Sequence, residues 1–100
     1  MVVGVCHLDL LLPEGSSLKE KRSVIKSLIV RVKSKFNCSI SEVGGQDLWQ
    51  RAHMGICLVG SDQPFINASL DKVIDYIEGL GLLEVVGSDM EFVHFNYDEG

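Results

Sequence analysis

The periodicity of the apolar residues changes along the chain in a fixed order, and this order restricts the fold more than any other feature of the sequence. Some segments alternate apolar and polar side chains, as strands do, and others repeat apolar residues at helical spacing. In chain order they are 2–12 (strand), 17–36 (helix), 38–43 (strand), 51–59 (strand), 61–81 (helix) and 82–97 (strand). The sequence therefore predicts the element order β-α-β-β-α-β.

This order predicts an α+β fold of the ferredoxin-like type. Right-handed crossovers place both helices on one face of a four-stranded antiparallel sheet. A chain of 100 residues with 46% hydrophobic side chains fits a single domain, residues 1–100, that needs no disulfide and no metal for stability. The chain has three cysteines, Cys6, Cys38 and Cys57, and no two of them form a C-x-x-C motif. An odd number of cysteines without this motif is typical of reduced thiols in a cytoplasmic protein.

Residues 87–89 divide the last strand segment. Gly87, Ser88 and Asp89 interrupt the alternation there. They are compatible with a bulge in one long strand or with the turn of a short terminal hairpin. We favour a single bent strand.

Helices on one face leave the other face of the sheet, here called the open face, uncovered. Alternation along the strands assigns ten residues to it: Val3, Val5, His7, Asp9, His53, Gly55, Cys57, Val59, Phe92 and His94. Several of them are apolar, and an exposed apolar face usually marks a contact with a partner. We therefore expect a homodimer formed through the open face.

Seven of the nine Lys and Arg residues fall between Lys19 and Lys35, on the first predicted helix. Lys19, Lys26 and Lys33 recur every seven residues, and Arg22 lies one helical turn from Lys19 and from Lys26. These four side chains therefore line one side of the helix, which we call the basic flank.

The basic flank has two interpretations. Spaced cationic groups can follow the phosphates of RNA and bind them without sequence preference. The more common role of such a surface is a solvated helix face that maintains solubility. Residues 1–51 hold eight basic and five acidic side chains, whereas 52–100 hold one and nine, so a polyanion could bind one side of a chain whose net charge is -5.

The predicted hairpin between the second and third strands carries a polar tip. Its candidate partner-binding residues are Gln46, Asp47, Trp49, Gln50 and Arg51. Trp and Arg often contribute most of the energy of an interface, and a Trp face can stack on an unpaired base. Alternatively, Trp49 covers one end of the core while Arg51 pairs with Asp47 and stabilises the turn.

Catalytic and metal sites receive little support from the sequence. His7, His53 and His94 fall on three neighbouring strands, with Asp9 beside them, and would converge as metal ligands only if the strand registers place all of them on one face. Isolated strand histidines are more often surface residues, so we predict no metal and no cofactor. No nucleophile has an evident activating base, and we predict a protein that is not an enzyme.

A membrane location is not expected either. The apolar start of the chain lacks a preceding basic residue and contains His7 and Asp9, unlike a signal peptide. No stretch reaches the roughly 18 uncharged apolar residues that cross a bilayer. We expect a cytoplasmic protein with no membrane contact.

Several segments together resemble the YlxP-like bacterial family of unknown function. They are Ser17-Leu18-Lys19-Glu20-Lys21-Arg22, Phe36-Asn37, Glu42-Val43-Gly44 and Gln46-Asp47-Leu48-Trp49-Gln50-Arg51-Ala52. The resemblance covers nearly the whole chain and implies a ferredoxin-like fold. Genes of this family often neighbour genes of translation factors, which implies a role linked to RNA or the ribosome. The resemblance supplies no catalytic residue.

Overall fold

The structure, a computed structural model, describes residues 1–97 and has the predicted order of elements. These are β1 (Val2–Leu11), α1 (Leu18–Lys35), β2 (Ser39–Gly44), β3 (Arg51–Gly60), α2 (Gln63–Gly79) and β4 (Glu84–His94). All strand pairs are antiparallel, and the sheet has the order β2-β3-β1-β4. The chain therefore has the ferredoxin-like α+β arrangement that the sequence predicts.

Local sequence signals determine where both helices begin. At α1, the Ser17 hydroxyl accepts a hydrogen bond from the Glu20 backbone N–H at 3.1 Å, and the Glu20 carboxylate accepts one from Ser17 N–H at 3.4 Å. At α2, the Asp62 carboxylate accepts from Phe65 N–H at 2.9 Å, and Pro64 occupies the first turn. Neither helix of the described chain is both long and apolar enough to cross a bilayer.

The core lies between the two helices and the covered face of the sheet. It is formed by alternate residues of β1 and β3 together with the inner faces of the helices. Its fully buried members include Cys6, Leu8, Leu10, Leu28, Val32, Ala52, Met54, Ile66, Leu70, Val73 and Ile77. Gly4 also points to this side, and a Cβ atom there would overlap with the Ile66 side chain. The missing side chain at Gly4 therefore lets α2 pack closely on β1.

A β-bulge in β4 reverses the side-chain orientation along that strand. Leu10 pairs with Val85 and Asp9 pairs with Gly87, so Val86 is the extra residue. β4 is thus a single bulged strand, as favoured from the sequence, and it contains no terminal hairpin.

The same bulge places Phe92 and His94 on the helix-covered side of the sheet and not on the open face. Phe92 pairs with Gly4 and His94 pairs with Val2, both on the helix-covered side of β1. The prediction that Phe92 and His94 lie on the open face is therefore wrong. One inserted residue moves every later side chain to the opposite face, and the alternation in the sequence does not reveal the insertion.

Candidate functional site

The four residues of the basic flank are open to solvent. Lys19, Arg22, Lys26 and Lys33 are all exposed on α1. Within residues 1–97, none of them has a carboxylate oxygen within 4.0 Å. The flank therefore presents positive charge to solvent, with no ion pair to a carboxylate of residues 1–97.

Lys21 lies between Lys19 and Arg22 in the sequence but on the opposite side of the helix. Its side chain is 1% exposed, and its Nζ atom donates hydrogen bonds to the backbone carbonyls of Gly45 and Leu48, the second at 2.7 Å. The Glu42 carboxylate completes the site at 3.2 Å. Burial of an ammonium group is costly unless it is paired and hydrogen-bonded, and here it is both.

Sequence reasoning missed the role of Lys21, although a signal was present. Lys21 precedes Ile25 by four residues and Leu28 by seven, so it falls on the apolar stripe of α1. A lysine in that stripe indicates a buried cation that needs partners.

The contacts of Lys21 hold the connection between β2 and β3 in place. Gly45 has a φ of +74°, which glycine adopts without strain, and Leu48 N–H donates to the Gly45 carbonyl at 2.9 Å. Both carbonyls bound by Lys21 belong to this turn. The helix that carries the basic flank therefore also positions the hairpin tip, residues 46–51.

The hairpin tip is exposed, and this excludes the alternative in which Trp49 covers the core while Arg51 pairs with Asp47. The Trp49 side chain is 58% exposed, so the alternative in which it covers the core is wrong. Arg51 contacts the Asp9 carboxylate at 3.2 Å, and the predicted pairing with Asp47 is not formed. Gln46, Asp47 and Gln50 are also exposed, so the tip presents two amides, one carboxylate and one aromatic ring.

A groove between α1 and the edge strand β2 joins part of the basic flank to the hairpin tip. We call it the α1–β2 groove, and its volume is about 340 Å³. Its lining residues are Arg22, Ile25, Lys26, Ile29, Val30, Ser41, Glu42 and Gln46. The one carboxylate among them, that of Glu42, is paired with Lys21. Two residues of the basic flank, Arg22 and Lys26, and one residue of the hairpin tip, Gln46, thus line one groove together with apolar side chains.

The three histidines do not converge on one site, because His94 lies apart from His7 and His53. His7 Nε2 and His53 Nδ1 lie 3.1 Å apart on the open face, and the Asp9 carboxylate lies 4.0 Å from His53 Nδ1. His94 lies on the other side of the sheet, 2.7 Å from the Gln63 side-chain oxygen. No group of three His, Cys, Asp or Glu side chains in the described part of the chain is arranged to hold a metal ion.

The pKa values of two thiols are raised, which favours the less reactive, protonated form. Burial raises the pKa of the Cys6 thiol above its usual value, and negative charges at Asp89 and Asp71 add to this effect. Burial also raises the pKa of the Cys38 thiol, with a further contribution from Cys57. Neither environment resembles that of an activated cysteine nucleophile, in which the pKa is lowered.

The open face carries apolar side chains beside its polar cluster. Val5, Val59 and Val93 are 41%, 63% and 53% exposed, and all three point to this face. A shallow depression of about 330 Å³ lies among the side chains of Val5, Val43 and Cys57 and the backbone of Gly55. The open face is therefore partly apolar, as predicted for β1 and β3.

Comparison with known proteins agrees with the family resemblance and adds no activity. Residues 3–90 match the family described as "Protein of unknown function (DUF503)". The chain belongs to the DUF503 family. It is similar to the "Uncharacterized protein YlxP" of Bacillus subtilis (strain 168), with 39% identity over 83 residues that cover 83% of this chain and 90% of the relative.

Proposed function

We propose that this DUF503 protein is a small, non-catalytic cytoplasmic module that associates with RNA, including RNA of the ribosome. The basic flank of α1 supplies the electrostatic attachment, and the hairpin tip supplies local contacts through Trp49 and the neighbouring amides. The observation that carries the proposal is the exposure of Lys19, Arg22, Lys26 and Lys33 without carboxylate partners among residues 1–97. The rest of this acidic chain offers no comparable concentration of cations.

The spacing of the basic flank suits a linear polyanion. With a rise of about 1.5 Å per helical residue, Lys19, Lys26 and Lys33 are separated by about 10 Å steps along α1. Each phosphate neutralised by a cation releases counterions, so affinity falls as salt rises. With four contacts to single-stranded RNA, a plot of the logarithm of the binding constant against the logarithm of the salt concentration has a slope of about -3. The electrostatic part of the affinity is therefore modest.

Filter binding to ribosomal RNA over a series of salt concentrations tests the proposal. The variant in which Lys19, Lys26 and Lys33 are all changed to Glu should lose the salt-dependent component of binding. Lys72→Glu is the control for reversal of one lysine charge outside the flank, because Lys72 is an exposed lysine on α2. Equal binding by wild type and the triple variant at every salt concentration would contradict the proposal. Co-sedimentation of the wild-type protein with ribosomal subunits provides the corresponding test on the assembled particle.

A second candidate function is that of a homodimer that acts through protein contacts and does not bind nucleic acid. The apolar side chains of the open face favour it, because a second copy would cover Val5, Val59 and Val93. Sedimentation equilibrium should then show a dimer, and Val59→Asp should shift it to monomer because a charge would be buried at the contact. A wild-type protein that stays monomeric at all concentrations would exclude this candidate.

A further inference from the structure

We infer that the α1–β2 groove accepts an unpaired base of single-stranded RNA while the basic flank holds the neighbouring phosphates. This inference rests on the proposed function and narrows it to single-stranded RNA.

The apolar side chains that line the groove suit the flat face of a base. They are Ile25, Ile29 and Val30, and the Val30 side chain is 59% exposed on the surface of a helix. A volume of about 340 Å³ is at the lower end of the range typical of small-ligand pockets. Stacking of a base would remove this apolar surface from water.

The rim of the groove supplies hydrogen-bonding groups and positive charge. The Gln46 amide has both donors and an acceptor, and the Ser41 hydroxyl lies on the β2 side. Such groups can bind the base edge that is occupied by the complementary strand in a duplex. Arg22 and Lys26 stand at the same rim, one helical turn apart, where phosphates of the same strand would pass.

A carboxylate in the groove does not oppose an anionic ligand here. The Glu42 side chain contributes to the lining, but its Oε2 atom lies 3.2 Å from the buried Lys21 Nζ. The pair is electrically neutral, so the net charge of the rim is that of Arg22 and Lys26.

The exposed Trp49 provides a second stacking surface on the same loop as Gln46. Three peptide units limit the distance between their Cα atoms to about 11 Å. Lys21 binds the carbonyls of Gly45 and Leu48, which flank Gln46 and precede Trp49, so the loop is held in place before any ligand binds. A strand that places one base in the groove can therefore stack another on the indole.

The distribution of charge favours RNA over an acidic peptide as the ligand. The cations extend beyond the groove in both directions, to Lys19 on one side and to Lys33 on the other. A ligand with an evenly repeated negative charge uses all four, whereas a short acidic peptide seated in the groove needs only Arg22 and Lys26. An acidic peptide is retained as an outcome of the test.

Fluorescence anisotropy with one short RNA, either single-stranded or annealed to its complement, tests the inference. The duplex has the higher charge density, so electrostatic attraction alone favours the duplex. We expect the single strand to bind more tightly. Gln46→Ala and Trp49→Ala should each weaken single-strand binding by about tenfold, with duplex binding and the salt slope unchanged. Asn67→Ala and Phe65→Ala are matched controls, because both residues are exposed on α2.

The outcomes separate this inference from the proposed function. If the duplex binds as tightly as the single strand, or if the Gln46 and Trp49 variants bind normally, the groove inference is overturned while electrostatic RNA binding stands. If neither RNA binds, both fail. If a poly-glutamate peptide binds as tightly as the single strand and shows the same sensitivity to Gln46→Ala, the groove takes acidic peptides and the inference is also overturned.

Discussion

The two sides of α1 carry the same type of residue in opposite environments. Lys21 is 1% exposed and contacts two carbonyls and a carboxylate, whereas Lys19 and Lys26 are exposed and have no carboxylate partner within residues 1–97. The difference shows that position around the helix axis, and not residue type, decides whether a lysine stabilises the fold or remains available for a ligand. A count of basic residues between Lys19 and Lys35 overstates the surface charge for this reason.

The two environments of lysine on α1, buried and exposed, predict that substitutions along the helix destabilise the protein to different degrees. The largest effect should follow loss of a buried cation, because its partners would remain buried without compensation. The smallest should follow changes in the basic flank, where water already solvates the charge.

Lys21→Met should produce the largest loss. Methionine keeps the apolar part of the side chain but leaves the Gly45 and Leu48 carbonyls and the Glu42 carboxylate without their cation. We expect the free energy of unfolding to fall by about 3 kcal/mol, measured by urea denaturation. Lys19→Met is the control and should change stability by less than about 0.5 kcal/mol. Equal losses of stability in the two variants would contradict the conclusion that burial makes Lys21 more important for stability than Lys19.

A double-mutant cycle tests how much of this loss of stability comes from the ion pair between Lys21 and Glu42. When Lys21→Met is combined with Glu42→Gln, the loss should be smaller than the sum of the single losses, because the unpaired carboxylate is then removed. Additive losses would show that Lys21 stabilises the protein through the carbonyls of the turn alone.

Ser17→Ala should have an intermediate effect. It removes the hydroxyl that accepts from Glu20 N–H and so leaves an unpaired donor at the start of α1. We expect a loss of about 1 kcal/mol, measured from the thermal or urea midpoint. Ser23→Ala, at an exposed position within the same helix, should cause no loss, because alanine favours helix more than serine does.

Lys35→Gln should have a smaller effect still. The Lys35 ammonium lies 4.7 Å from the centre of the Tyr76 ring, a cation–π contact between the end of α1 and α2. Its loss should cost about 0.5 kcal/mol, and the effect should disappear when Tyr76 is changed to Leu. Lys33→Gln is the matched control on the same helical turn. A Lys35 effect that persists in the Tyr76 variant would rule out the ring as its cause.

Lys19→Gln and Lys26→Gln should have the smallest effects on stability and the clearest effects on binding. Each should leave the urea midpoint nearly unchanged, while the salt slope of RNA binding falls by about 0.7 per substitution. The urea midpoint and the salt slope should be measured on the same protein samples. A large change of stability in either variant would mean that the flank is part of the packed structure.

The elements and the start of each helix could be predicted because their signals are local. The capping box at Ser17 and Glu20, the Asp62 cap and the alternation along β1 all act within a few residues. The exposure of the basic flank follows from the same local periodicity. The reversed placement of Phe92 and His94 could not be predicted, because a bulge at Val86 depends on pairing with β1, more than seventy residues away in the chain.

Periodicity and residue type alone give the order of the elements, the ferredoxin-like topology and the concentration of cations on α1. Three features depend on the tertiary structure: the partners of Lys21, the pairing of Arg51 with Asp9, and the groove at which the basic flank and Gln46 meet. These contacts join residues that are far apart in the chain. Contacts between α1, β2 and the hairpin tip form only when strand register and helix packing bring such residues together.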